Sequence, residues 1–122
     1  TTIEGQEGKE LTGGTMRLGN YECSIQKDTL AHKLYGELKV KERHRHRYEV
    51  NPKFVADIEK KGMVFSGFNP ETGLKEIAEL PKKVHPFFVG TQYHPEFLAR
   101  PTSPHPLFTA FIKAAVAKRK KK

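Results

Sequence analysis

Glycine, proline and asparagine cut residues 16–117 into short segments, each with its own apolar period, and this punctuation limits the chain to a globular arrangement of brief strands and helices. Residues 16–25 alternate and read as a strand. Asp28 or Thr29 then caps a short helix whose Leu30, Ala31, Leu34 and Tyr35 recur at helical spacing, and Gly36 is placed to end it. Residues 38–48 are extended again. Asn51-Pro52 supplies a cap followed by proline at the first helical position, with Phe54, Val55 and Ile58 on the apolar face and Gly62 closing the helix. Residues 63–68 and 74–80 read as two strands of a hairpin turned by residues 69–73. His85-Pro86 introduces an apolar strand over residues 87–93. The last helix begins near His105-Pro106 and carries Leu107, Phe108, Phe111, Ile112 and Ala115 on one face, which should pack on the sheet.

With 122 residues, of which 36% are hydrophobic, the chain suffices for a single modest core. One cysteine and the lack of a signal-like or membrane-spanning apolar run point to a reducing compartment, by default the cytoplasm. A net charge of +8 would ordinarily raise nucleic acid as a partner. Its distribution argues otherwise, since the tail at 118–122 (Lys118, Arg119, Lys120, Lys121 and Lys122) carries five of those eight charges and reads as a solvated, disordered helix end. Within residues 41–49 the basic side chains alternate with His44, His46 and Tyr48, which suits a strand with two different faces better than a stripe that tracks phosphates. Residues 1–14, with four glycines, read as a flexible loop suited to a lid.

Chemistry concentrates at Gln92-Tyr93-His94-Pro95-Glu96-Phe97, where an apolar strand delivers a histidine and a carboxylate together. In an extended segment, side chains at i and i+2 share a face, so Glu96 can sit beside His94 and fix one ring nitrogen as a donor. The other nitrogen is left to take a proton from a thiol or hydroxyl. The nucleophile is missing. Cys23, the only cysteine, lies in an alternating strand without the glycines of a nucleophile elbow and reads as a buried structural thiol. Ser24 and Ser66 lack such a turn as well. Gln92 and Phe97 read as wall and packing residues, and His32, His85 and His105 need no titration chemistry to explain them. His44 and His46 at i and i+2 are too few for a metal site.

Three blocks occur together in order: Gly13-Gly14-Thr15-Met16-Arg17-Leu18-Gly19, then Glu42-Arg43-His44-Arg45-His46-Arg47-Tyr48-Glu49-Val50-Asn51, then residues 85–97 with Pro104-His105-Pro106-Leu107-Phe108 behind them. With these blocks the chain resembles, over about residues 10–117, the C-terminal part of the class I glutamine amidotransferase domain of CTP synthases. The resemblance implies an α/β, flavodoxin-like fold of which this chain, chiefly residues 15–117, is the C-terminal half. It implies ATP-dependent amination of UTP to CTP, with ammonia released from glutamine by a Cys-His-Glu triad. His94 and Glu96 match the histidine and glutamate of that triad, while its cysteine, its oxyanion hole and the synthetase domain would precede residue 1. Arg47 matches the third arginine of a block that contributes to the glutamine pocket, where a guanidinium suits an α-carboxylate.

Further implications of the resemblance are ATP and Mg2+ in the synthetase domain with no cofactor in this segment, GTP as an allosteric activator acting near a mobile loop, the remainder of the polypeptide as this segment's partner, and a homo-oligomer, a tetramer. The chain alone is then expected to be inactive. Three other readings stand beside this one: a basic nucleic-acid-binding or targeting module built on Arg43, Arg45, Arg47 and the terminal lysines, another class I amidotransferase, and a regulatory paralogue that has lost the synthetase.

Overall fold

The computed structural model describes residues 17–121; the lid expected within residues 1–14 lies outside them. Strand β1 (Arg17–Ile25) leads through helix α1 (Leu30–Tyr35) to β2 (Lys39–His46). Helix α2 (Pro52–Lys60) precedes the hairpin of β3 (Val64–Phe68) and β4 (Lys75–Glu79). Strand β5 (Val89–Thr91) runs into a single 3-10 turn (Pro95–Phe97), and α3 (Pro106–Lys120) closes the chain. The sheet order is β2-β1-β3-β4-β5, and every pairing is antiparallel.

The elements begin and end where local chemistry dictates. Thr29 Oγ1 accepts from His32 N at 3.1 Å at the start of α1, and Gly36 ends that helix at φ 72°. Six residues are too few for a self-supporting helix. Tertiary contact makes up the difference: the Glu79 carboxylate on β4 accepts from Leu30 N at 2.7 Å and Ala31 N at 2.9 Å. Asn51 caps α2 by accepting from Lys53 N at 3.0 Å, and Pro52 occupies its first position. The turn at 69–73 is held by Asn69 Oδ1, which accepts from Glu71 N and Thr72 N.

Cys23, Ile25, Ala31, Ile77, Tyr93 and Leu107 form the buried apolar cluster, with Leu34, Tyr35, Val40 and Val89 against it. Burial pushes the Cys23 thiol well above its usual range, as expected of a structural residue. Gly67 sits at a β-bulge where a Cβ would meet Ile77 Cγ1 at 2.5 Å and Cys23 Sγ at 2.9 Å, so the strands close only without a side chain there.

Two expectations need correction. The apolar strand expected over residues 87–93 is a strand only over Val89–Thr91, because Pro86 and the approaching 3-10 turn leave few residues to pair with β4. The apolar side of α3 does not lie on the sheet: Leu107 is buried, whereas Phe108, Phe111 and Ile112 are 42%, 54% and 59% exposed. His105 and Leu107 tether the first turn, α1 packs against the helix, and Phe111 meets the Phe87 ring at 5.7 Å ahead of β5. The helix also continues across 118–120, where the side chains are exposed.

Candidate active site

Strand β2 sets up the site by alternation. Glu42 and His44 point inward and are 2% exposed, while Arg43 and Arg45 face outward, so the block does carry two different faces. Beneath it lies a buried charge cluster. Arg17 donates to Glu49 at 3.0 Å and to Glu76 at 2.5 Å, and its guanidinium stands 4.3 Å from the Tyr21 ring centre. Burial raises both carboxyls above the ordinary range, and Arg17 opposes that rise.

A second network joins β2 to α1 and to the start of α3. Glu42 Oε1 accepts from the Tyr35 hydroxyl at 2.6 Å and from His105 Nε2 at 2.6 Å. His105 Nδ1 meanwhile accepts from Leu107 N at the start of α3, so its ring proton is on Nε2. With the Tyr35 proton directed at Glu42, the Tyr93 hydroxyl donates to Tyr35 at 2.8 Å. This buried chain anchors the residue just before His94.

The His94 amide donates to the Arg43 carbonyl at 2.9 Å, fixing the loop on β2. His94 Nδ1 meets Glu96 Oε1 at 2.7 Å, with side-chain exposures of 38% and 53%. The sequence-based expectation of this pair holds, but by another geometry. His94 is extended, at φ −106° and ψ 93°, and Pro95 starts a 3-10 turn that brings Glu96 back to the ring. The bond to His94 is the chief cause holding the Glu96 carboxyl below its ordinary range, so the carboxylate accepts and Nδ1 carries the proton. Phe97 stacks on the imidazole at 4.7 Å and 14°, fixing the ring plane. Nε2 is the nitrogen left to accept a proton.

Arg47 occupies the bend after β2 and is partly buried. On one side of it, His46 Nδ1 donates to the Tyr48 carbonyl at 3.0 Å. The same carbonyl accepts from the side-chain amide of Gln92. A carbonyl only accepts, so the neutral His46 ring carries its proton on Nδ1 and offers Nε2 to His44 Nδ1 at 2.8 Å. Burial first, then the positive charge of Arg17, lowers His44 to about 3. Burial also lowers His46 to about 4. An open cleft of about 770 Å³ lies alongside, lined by Leu18, Gly19, Arg43, His44, Arg45 and Phe97.

The sequence points to His94 and Glu96 as a pair and reads Gln92 only as a wall residue, and the buried carboxylates are not among its candidates. Alternation through residues 42–46 was the signal for an inward Glu42; nothing local in the sequence pairs Gln92 with a residue 44 positions away. Among the described residues, no group of three or more His, Cys, Asp or Glu side chains is placed to hold a metal ion.

The model of the class I glutamine amidotransferase family matches residues 1–114. The CTP synthase of Christiangramia forsetii is 58% identical over 109 residues, covering 88% of this chain and 20% of that protein. That of Archaeoglobus fulgidus is 55% identical over 115 residues, covering 94% and 21%. Among solved structures, the glutaminase domain of Trypanosoma brucei CTPS with bound acivicin is similar at 35% identity and a TM-score of 0.77, over 84% of this chain and 40% of that one. The chain thus spans about a fifth of the length of these curated relatives. It belongs to the class I glutamine amidotransferase family and corresponds to part of the amidotransferase domain of CTP synthases.

Proposed function

We propose that this chain supplies the proton-transfer half of a glutaminase site within a CTP synthase. His94 is the general base and Glu96 the carboxylate that orients it. The observation that carries this reading is the 2.7 Å contact between His94 Nδ1 and Glu96, which leaves Nε2 as the acceptor. A cysteine thiol from another segment gives its proton to Nε2, and the thiolate attacks the side-chain amide carbon of glutamine. The imidazolium returns the proton to the departing nitrogen, releasing ammonia, and Nε2 then activates the water that frees the enzyme as glutamate leaves. Arg47 pairs with the substrate α-carboxylate.

The nucleophile, the oxyanion donors and the site where ATP and Mg2+ activate UTP belong to the remainder of the polypeptide, as do the GTP response and the tetrameric assembly. This chain alone therefore releases no ammonia from glutamine, since a base without a nucleophile has nothing to activate. In the full-length protein, His94→Ala abolishes glutamine-dependent CTP formation and spares synthesis from added ammonia. Equal loss of both activities in a folded variant removes His94 from the role of base.

A further inference from the structure

The two functional side chains proposed above sit on different segments, Arg47 on the bend after β2 and His94 beyond β5, and one side chain spans them. Gln92 donates its amide to the Tyr48 carbonyl, the residue following Arg47. Its own backbone is fixed, because Gln92 N donates to Glu76 O at 2.9 Å. Two residues further on, His94 N is held on the Arg43 carbonyl at 2.9 Å. The Tyr48 carbonyl is engaged from the other side as well, by His46 Nδ1 at 3.0 Å. Both lone pairs of that oxygen are then used, and the bend carrying Arg47 is gripped between β2 and the strand that leads to His94.

We propose that Gln92 is a positioning residue, a cross-brace that sets the separation between Arg47 and His94 and so matches the site to the length of glutamine. The proposal rests on the functional reading of Arg47 and His94 given above. A substrate held by its α-carboxylate at one end and attacked at its side-chain amide at the other fits only if the distance between its two anchors is fixed. A displacement of an ångström at either end loses reactive geometry. His46 supports the same carbonyl as a neutral donor, since burial keeps its ring unprotonated down to about pH 4.

The test uses the full-length protein and glutamine saturation curves, with ammonia-dependent synthesis as the internal control. Gln92→Met keeps the length and volume of the side chain without the donor. Gln92→Asn keeps the donor one methylene short of the carbonyl, and decides the matter if the first variant fails to fold. Each is expected to raise the glutamine KM about tenfold and to lower kcat severalfold, while ammonia-dependent synthesis stays within about twofold. A brace that works through Arg47 has nothing left to hold once that arginine is gone, so the glutamine KM of Gln92→Met combined with Arg47→Ala equals that of Arg47→Ala alone. Additive losses, or a glutamine KM within about twofold of wild type in both folded Gln92 variants, overturn the brace. Arg47→Ala and His94→Ala measured in parallel separate the two failures: if they are silent the functional reading falls, and if they act while Gln92 is silent only the brace does.

Discussion

Glu96 meets His94 through a single contact, Oε1 to Nδ1 at 2.7 Å, and the role of its charge is tested by keeping that contact while removing the charge. An amide in place of the carboxylate can still hold the ring, but it does not stabilise imidazolium, and when its NH2 faces the ring it favours the wrong tautomer. Glu96→Gln is therefore expected to lower glutamine-dependent turnover by about tenfold or more, yet less than His94→Ala, which removes the base itself. Steady-state rates of both variants in the full-length protein check this. The inward histidines of β2 give a second expectation. His44 and His46 titrate at about 3 and about 4 when folded, against an ordinary 6.5, so the unfolded chain binds more protons between those values and 6.5. Their contribution to stability is complete above about 6.5 and is lost as pH falls toward 3. Glu49 and Glu76, raised by burial, act in the opposite sense, and their contribution declines as pH rises through their folded values. Urea midpoints should therefore fall less steeply between pH 6.5 and 4 in His46→Gln than in the wild type.

At the scale of elements, α1 illustrates what sequence conveys and what it withholds. Thr29 and Gly36 mark its ends in the sequence, because a side-chain acceptor at the start and a left-handed residue at the finish are local requirements. The Glu79 carboxylate that satisfies Leu30 N and Ala31 N comes from a strand nearly fifty residues later, and no periodicity announces it. Glu79→Ala should destabilise the protein by about 2 kcal/mol, since two backbone donors lose their acceptor. Glu79→Gln, which keeps one carbonyl oxygen, should cost about half as much, and urea unfolding of the two variants gives the comparison. The same division runs through the candidate site. His94 and Glu96 were legible because they are two residues apart, although the turn that joins them was not. Arg47, by contrast, was named by likeness, and the support around its bend comes from Gln92 across the fold.

For the molecule as a whole, the apolar side of α3 is the largest departure from the sequence-based picture. Periodicity correctly placed Phe108, Phe111 and Ile112 together, but it reports that a face is apolar and says nothing of which partner covers it. Under the proposed function the covering surface belongs to the remainder of the amidotransferase domain. The chain alone should then bind a hydrophobic dye, and Phe111→Ser with Ile112→Ser should reduce that binding while destabilising the full-length protein. Loss of dye binding without any cost to the full-length protein would leave this face uncovered there too. Among the described residues no helix is long and apolar enough to cross a membrane. The 3-10 turn has a consequence at this scale. Because the contact between His94 and Glu96 closes over three consecutive residues, its formation asks almost nothing of the remaining chain, whereas the bond from His94 N to the Arg43 carbonyl requires β2 to be in place. Fraying of the sheet would leave a paired imidazole and carboxylate aimed at nothing: the contact is a local property of the sequence, and its address is a property of the fold.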